Sequence, residues 1–237
     1  MRHFDYLIIG QGLTGSALAW ELIGRGKTVM VLDEPARNLA SSVAAGMCNP
    51  ITGKMMAKTW KAETIFPLLE KFYSDAGEAL RQKFFAAVPV YRPFATAEER
   101  QQWNLEANLD RVEKFVLRIH RDPVFTDQVI NPFGGVEIRG AGCLNTSLWL
   151  ASVRAFLRSN DAFEETHFEE TELLTGEIIC YREFSAQRIV FCNGMAGLDS
   201  KWFGWLPLIP LKGETMNVSI ESRPHRIYSR GVYLVPS

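Results

Sequence analysis

The first 33 residues combine two short apolar runs with one helical pattern. Residues 6–9 and 28–32 are continuous apolar runs, as is typical of parallel strands buried on both faces. Between them Leu18, Ala19 and Leu22 fall on one helical face, and Gly26 stands where such a helix would end. The pattern predicts a strand-helix-strand unit of about 30 residues, the size of a βαβ unit.

Further along the chain the pattern alternates between helices and short strands. A helix is predicted over residues 60–85, with Ile65, Leu69 and Phe72 on one face and Pro67 tolerated near its start or at a kink. The other predicted elements are a strand at 88–94, a charged helix at 96–108, a strand at 115–119, a helix capped by Asn145 and ending near Ser159, and two strands within 178–191.

The loop between the first strand and helix reads Gly-Gln-Gly-Leu-Thr-Gly, residues 10–15. Gly10 would permit a tight turn, Gly12 would let the backbone approach a pyrophosphate, and Gly15 would let the helix press against the strand. The helix N-terminus offers N–H groups and partial positive charge to such a group. Because the loop lies between a predicted strand and a predicted helix, it indicates a dinucleotide site.

An acidic residue completes this pattern at the end of the second strand. Asp33 follows Gly15 by 18 positions, close to the roughly 20 expected for the residue that accepts from ribose hydroxyls. A carboxylate there disfavours a 2′-phosphate and so NADP, but it does not separate NAD from FAD. The small-residue segment at 39–54 suggests backbone laid against something large and flat, which a simple NAD domain would not need.

Composition narrows the class of protein. The 237 residues suffice for one large α/β domain or two smaller ones, and 47% hydrophobic with 22% charged residues is ordinary for a globular chain. The net charge of −1 indicates neither a nucleic-acid partner nor an anionic membrane surface. The four cysteines are far apart and the histidines isolated, so no metal site or redox motif is predicted.

Two segments bear on location. The first apolar run leads directly into the glycines and is too short for a secretory signal. The apolar region at 189–211 is interrupted by Asp199 and Lys201, so it does not have the pattern of a membrane span. We expect a cytoplasmic protein with no membrane partner, and the oligomeric state stays open.

The segments 5–34 and 41–50, the latter reading SSVAAGMCNP, resemble the FAD-dependent oxidoreductases of the D-amino acid oxidase and glycine oxidase family. Residues 134–145, 188–197 and 208–214 agree with that family in order, the last resembling its entry into the substrate-side sheet. The resemblance implies an α/β fold, in which a Rossmann-like FAD-binding domain carries an inserted, mixed β-sheet substrate domain. The expected boundaries are 1–84 and 140–200 for the FAD-binding domain, and 85–139 and 201–237 for a partial substrate domain.

The resemblance also implies FAD as the cofactor and a set of residues that contact it. In that family the serine-alanine-glycine loop runs along the flavin, and a late glycine turn lies close to it. Asp33, or else Glu34, would hold the adenosine ribose. The expected cofactor residues are Gly10, Gly12, Leu13, Thr14, Gly15, Asp33, Glu34, Ser41, Ser42, Ala45, Gly46, Met47, Asn193 and Gly194.

The expected reaction is oxidation of an amine or amino acid, by hydride transfer from the α-carbon to flavin N5. A substrate carboxylate calls for an arginine, whose fork binds it bidentately, and Arg92 and Arg139 are the preferred candidates. Further candidates are Tyr91, Arg226, Tyr228 and Tyr233 for the substrate, and Lys54 and Lys58 for a positive charge near the ring system.

Two alternatives stay open: an NAD-linked dehydrogenase, and a truncated, non-catalytic relative of the FAD domain. The second arises because the strand-like residues 233–237 end the chain where the family continues with a segment that covers the flavin. We therefore expect a fragment rather than a shortened complete enzyme.

Overall fold

The computed structural model describes residues 1–34, 40–52, 57–103, 111–222 and 224–236. The helices of this part are α1 (Leu13–Gly24), α2 (Ala40–Val43), α3 (Ala62–Leu80), α4 (Ala97–Trp103) and α5 (Thr146–Ser159). The strands are β1 (Arg2–Ile9), β2 (Val29–Asp33), β3 (Met47–Cys48), β4 (Ile51–Thr52), β5 (Ala57–Lys58), β6 (Phe85–Ala87), β7 (Val90–Pro93), β8 (Val116–His120), β9 (Gly135–Ile138), β10 (Gly142–Leu144), β11 (Phe163–Glu165), β12 (Leu173–Leu174), β13 (Ile179–Tyr181), β14 (Phe184–Phe191), β15 (Ile227–Arg230) and β16 (Val232–Leu234).

Residues 1–44 and 146–215 form one compact unit around a sheet with the strand order β11-β2-β1-β14-β13-β12. The neighbouring pairs β11–β2, β2–β1 and β1–β14 are parallel. The pairs β14–β13 and β13–β12 are antiparallel. Leu7, Ile8 and Val31 are fully buried, as the continuous apolar runs predicted. The predicted strand-helix-strand unit is confirmed, and Gly26 follows the end of α1 with φ +72°.

Two glycines occupy close contacts just after the end of β1, one with the segment that follows β14 and one between α1 and the loop. Gly10 has φ +96°, and a Cβ there would lie 2.6 Å from the carbonyl oxygen of Cys192. A Cβ on Gly15 would lie 1.9 Å from the carbonyl oxygen of Gly10. Both positions therefore require glycine, one for its backbone conformation and one for the close contact of helix and strand.

Residues 45–145 and 216–237 form the second unit. Its main sheet has the order β16-β15-β7-β9-β8, in which β15 and β7 are parallel and the other pairs antiparallel. A smaller sheet has the order β3-β10-β6, and β4 pairs with β5. Buried side chains on one face of the main sheet, including Val90, Val136 and Ile227, form the core of this unit.

Several predictions of secondary structure are confirmed in this unit, and one is wrong in detail. Helix α3 lies within the predicted 60–85, with Pro67 as its sixth residue. Its buried side is lined by Ala62 and Ala76, and Phe66 packs on the core. Ile65, expected on that face, is 39% exposed, because Phe66 rather than Ile65 points inward. The predicted helix at 96–108 is present as α4 up to Trp103, and its remainder lies outside the described residues.

Residues 207–222 form neither helix nor strand, although 208–214 resemble the start of a substrate-side strand. Leu211 is 91% and Met216 83% exposed. The fold class is confirmed, since a Rossmann-like parallel sheet is joined to a separate mixed sheet. The assignment of cofactor and substrate domains at the expected boundaries stays a prediction. No helix in the described part of the chain is long and apolar enough to cross a membrane.

The contact at Gly15 predicts a large stability effect. Gly15→Ala should lower the free energy of unfolding by about 2 kcal/mol or more, because the methyl group meets backbone that cannot move without separating α1 from β1. Urea denaturation followed by circular dichroism measures this. Gly24→Ala is the matched control in the same helix, since a Cβ there meets nothing within 4 Å, and it should stabilise by up to about 1 kcal/mol. Equal midpoints for the two variants would contradict the close contact.

Candidate functional site

The N-terminus of α1 is open towards the glycine loop. The first N–H groups of an α-helix have no intrahelical acceptor, and the N-cap residue of α1, Gly12, has no side chain to accept from them. Ser41 lies beside them, and its Oγ accepts a hydrogen bond from the Leu13 N–H at 3.1 Å. A Cβ on Gly12 would lie 2.9 Å from that oxygen. The structure thus brings Gly12, Leu13, Thr14 and Ser41 together as a group of donors suited to an anion.

The end of β14 reaches the same loop. The Cys192 N–H donates to the carbonyl of Ile9 at 2.7 Å, which extends the parallel pairing past the last residue of β1. A Cβ on Gly10 would lie 3.0 Å from Cα of Asn193. Gly194 follows with φ +57° and begins a short 3₁₀ turn. Asn193 and Gly194, predicted from the resemblance, therefore lie next to the glycine loop.

Asp33, the predicted ribose acceptor, is held by two donors of the chain. Its Oδ1 accepts from the Gln11 N–H at 2.8 Å and its Oδ2 from the Arg154 guanidinium at 2.6 Å. The side chain is only 10% exposed. Burial raises the pKa of the Asp33 carboxyl, while the Gln11 hydrogen bond and the charge of Arg154 act in the opposite direction.

Arg154 joins Asp33 to Gln11. Its Nε donates to Oε1 of Gln11 at 2.5 Å, and the amide nitrogen of Gln11 donates to Ser16 Oγ and to the carbonyl of Leu150. This network connects the glycine loop, α1 and α5. Arg154 was not predicted from the sequence, because it lies 121 positions from Asp33 and no motif near it along the chain marks it.

Glu34, the other candidate for the ribose, is in a different environment. Its carboxylate contacts Nδ1 of His167 at 2.5 Å, and both side chains are more than half exposed. Glu169 contacts the other ring nitrogen at 3.5 Å. The hydrogen bond and charge of Glu34 raise the pKa of His167.

The small-residue loop crosses from one unit to the other between Ala44 and Ala45. In the first unit, Ser147 Oγ donates to the carbonyl of Ser42 at 3.5 Å. In the second unit, the Leu144 N–H donates to the carbonyl of Gly46, and Met47 lies opposite Cys143 in the β3–β10 pair. Gly46 and Met47 are therefore built into the small sheet of the second unit, and Ala45 directly precedes them. Lys54, predicted near the ring system, lies outside the described residues.

The groups around the α1 N-terminus fit a dinucleotide. The N–H groups of the first turn of α1, of which that of Leu13 donates to Ser41 in this structure, and the Ser41 hydroxyl suit a pyrophosphate, and the Asp33 carboxylate suits ribose hydroxyls. A glycine N-cap leaves room where any side chain would meet Ser41. These donors and acceptors are common to FAD and NAD, so they establish the fit to a dinucleotide without choosing between the two.

The two arginines predicted to bind a substrate carboxylate both lie in the second unit. Arg92 is in β7, mostly buried, and donates to Oε1 of Glu99 at 2.9 Å. Arg139 follows β9, is exposed, and donates through Nε to the carbonyl of Lys114 at 3.0 Å. Arg92 lies opposite Val136 in the β7–β9 pair. Arg139 is three residues beyond Val136, which at about 3.4 Å per residue places its backbone roughly 10 Å further along the strand direction. The structure does not join them into one clamp.

Other candidates belong to a polar cluster on the sheet face opposite the core. Glu137 contacts Nε2 of His120 at 2.5 Å and the Arg226 guanidinium at 2.9 Å. Tyr91 is fully buried, and its hydroxyl accepts from the Asn131 amide at 2.7 Å. The Tyr228 hydroxyl donates to Gln128, so the side chains of this cluster are engaged with one another.

The last two candidates lie outside this cluster. Lys58 on β5 pairs with Glu63, whereas Tyr233 on β16 is 53% exposed. Among the described residues, no group of three potential ligands is placed to hold a metal ion.

Comparison with known proteins adds the family. A model of the FAD-dependent oxidoreductase family matches residues 5–237. Among similar solved structures, glycine oxidase from Geobacillus kaustophilus has a TM-score of 0.62 and 16% sequence identity, and the match covers 81% of this chain and 55% of that protein. L-amino acid deaminase from Proteus myxofaciens has a TM-score of 0.60 and 14% identity, with 82% of this chain and 46% of that protein covered. Iminodiacetate oxidase from Chelativorans sp. BNC1 has a TM-score of 0.56 and 16% identity, with 78% of this chain and 54% of that protein covered. The chain spans about half the length of these proteins.

The contact between Glu34 and His167 predicts a pH effect. Because the folded pKa of His167 is raised, the pair stabilises the fold below the unfolded pKa of about 6.5, and this contribution is lost as the pH rises through the folded pKa. NMR titration of the His167 ring should give a pKa above the ordinary value, and Glu34→Gln should lower it. Glu169→Gln is the control and should change it less, since that carboxylate is farther away. An equal effect of both variants would refute the assignment to Glu34.

Proposed function

The chain belongs to the FAD-dependent oxidoreductase family, whose model matches residues 5–237, and from this premise we propose that it binds FAD to oxidise amines or amino acids. The observation that carries the proposal is the group of donors at the α1 N-terminus together with the buried Asp33 carboxylate. Glycine oxidase and iminodiacetate oxidase are among the proteins of similar fold, which supports a carbon–nitrogen bond as the site of oxidation.

The residues that would hold FAD divide by chemistry. The N–H groups at the start of α1 and the Ser41 hydroxyl would bind the pyrophosphate, and Asp33 would accept from the adenosine ribose. Ala45, Gly46 and Met47 would place backbone along the ring system. When bound, FAD would supply the acceptor at flavin N5 for a hydride from the α-carbon of a neutral amine; the iminium left would release a proton to solvent, and water would hydrolyse the imine.

The protein's own contribution to this reaction is to bind and orient the substrate. Arg139 is exposed, and its Nη groups are not engaged by the described residues, so they can bind a substrate carboxylate. Arg92 is paired with Glu99, and binding a carboxylate there would require this pair to open or to share its donors. We therefore rank Arg139 above Arg92 as the substrate clamp.

The non-catalytic candidate, a relative of the FAD domain that binds nucleotide only, is not favoured, because the family whose model matches residues 5–237 is one of oxidoreductases. The NAD-linked dehydrogenase is not favoured, because the family match is to FAD-dependent enzymes. The cytoplasmic location stays a prediction.

Titration with FAD tests the proposal directly. The purified protein, as isolated or after addition of FAD, should show flavin absorbance that remains with the protein on gel filtration. Gly24→Ala should bind equally, whereas Gly15→Ala should lose binding, because its methyl group would displace the helix N-terminus. A colourless protein that binds NADH in place of FAD would refute the assignment.

The clamp is tested with two kinds of substrate under anaerobic, single-turnover conditions. Arg139→Ala should raise the half-saturating concentration of an amino acid about tenfold or more, and leave that of an amine lacking a carboxylate unchanged. Bleaching of the flavin absorbance is the readout. Arg118→Ala, an exposed arginine on β8 of the same sheet, should have no effect. If no amine bleaches the flavin, the oxidase is refuted in favour of the non-catalytic candidate.

A further inference from the structure

The carboxylate of Asp33 is not a free acceptor, because each of its oxygens already receives a hydrogen bond within the chain. We propose that Arg154 is a ribose-recognition residue in its own right and forms, with Asp33, one pair that reads the hydroxyls of the adenosine ribose. This inference rests on the proposed function, since it assigns the pair to the adenosine end of the same nucleotide site.

The geometry of Arg154 supports this role. Its Nε donates to Gln11 and one Nη to Asp33, so the guanidinium is held in a fixed plane by two short hydrogen bonds. The other Nη has no partner among the described residues, and the side chain is 32% exposed. A guanidinium fixed in this way presents directed donors next to the carboxylate that is expected to accept from ribose.

The chemistry of the pair differs from that of a lone acid. A carboxylate oxygen has two lone-pair positions, so Asp33 can still accept from a ribose hydroxyl while bound to Gln11 and Arg154. Arg154 adds a donor for the hydroxyl oxygen. Dinucleotide sites of Rossmann-like domains use either an acidic residue for the ribose 2′-hydroxyl or an arginine for a 2′-phosphate. Here both are present, and the charge of Asp33 is placed against Arg154, so the pair favours a neutral hydroxyl over a phosphate.

The supporting network explains why Arg154 acts with Asp33 and not alone. Gln11 is 2% exposed and has its amide nitrogen committed to Ser16 and Leu150. Its amide oxygen therefore faces Arg154 in a fixed direction. Without the guanidinium, Asp33 would keep only the Gln11 N–H, and the buried oxygen of Gln11 would lose its donor.

One turn further along α5, Arg158 provides a matched control. Its guanidinium lies over the same Phe163 ring, at 5.1 Å from the ring centre against 5.3 Å for Arg154, and it pairs with Glu165. Removal of Arg158 therefore deletes an ion pair and a ring contact of the same helix, without touching Asp33 or Gln11.

The experiment compares ADP with 2′-deoxy-ADP by isothermal titration calorimetry on the full chain. The wild type should bind ADP about tenfold more tightly, the size of a lost hydrogen bond to charged groups. In Arg154→Ala this preference should fall to about twofold or less, and in Arg158→Ala it should stay at the wild-type value. Arg154→Lys, which keeps the charge but not the fork, should give an intermediate ratio. A change of fold alone would weaken the binding of ADP and of 2′-deoxy-ADP equally, and the ratio of the two affinities would stay unchanged.

A second arm tests the masking of Arg154 by Asp33. The wild type should disfavour ADP that carries a 2′-phosphate, and Asp33→Ala should reverse this preference, because the uncovered guanidinium then meets the phosphate. Reversal in the double variant Asp33→Ala, Arg154→Ala as well would overturn the assignment to Arg154.

The outcomes separate this inference from the proposed function. An unchanged ADP preference in Arg154→Ala overturns the ribose pair, even if the protein binds FAD. A preference that depends on Arg154 in a protein that does not bind FAD supports the pair and refutes the proposed cofactor. Absence of binding to ADP and to FAD by the wild type overturns both.

Discussion

The rest of the first unit depends on the close contact between α1 and β1. A Cβ on Gly15 would fall 1.9 Å from the Gly10 carbonyl oxygen, so helix and strand meet at a distance that only glycine allows. This contact fixes where the helix N-terminus lies relative to the ends of the parallel strands. Gln11 then reaches Asp33 at the end of β2, and Cys192 continues β14 past the end of β1. Donors for a pyrophosphate and an acceptor for ribose are thus held in one place by a single packing constraint.

Much of this part of the fold is predictable because its signals are local. The apolar runs, the glycine spacing and the acid at position 33 lie within one βαβ unit. The structure confirms this unit and the close contacts at Gly10 and Gly15. The β1–α1–β2 unit, α5 and β14 were all predicted from the pattern of apolar positions, and the resemblance indicated how they belong together. That the fourteen expected cofactor residues contact FAD remains a prediction.

What could not be predicted depends on contacts between distant parts of the chain. Arg154 reaches Asp33 only because α5 packs next to α1 in the folded sheet unit, and no spacing rule connects positions 121 residues apart. The same holds for Arg92, whose partner Glu99 was not anticipated. The helical face of α3 was assigned one position off at Ile65, since Phe66 makes the core contact. Residues 208–214 resemble the family's entry into its substrate-side sheet but form no strand in the structure, and a strand forms only when another strand supplies its hydrogen bonds.

The position of β1 within its sheet also has a consequence for folding during synthesis. β1 lies between β2 and β14, and β14 begins only at Phe184, so β1 leaves the ribosome long before this neighbour. The edge of β1 that pairs with β14 therefore stays without this partner while the residues between the two strands are made, and the second unit needs β15 to pair with β7. Both sheets close late and through pairings of high sequence separation, which makes folding slow and leaves nascent strands exposed to aggregation. Until β14 is made, the edge of β1 that is buried in the folded sheet has no β14 backbone to receive its hydrogen bonds.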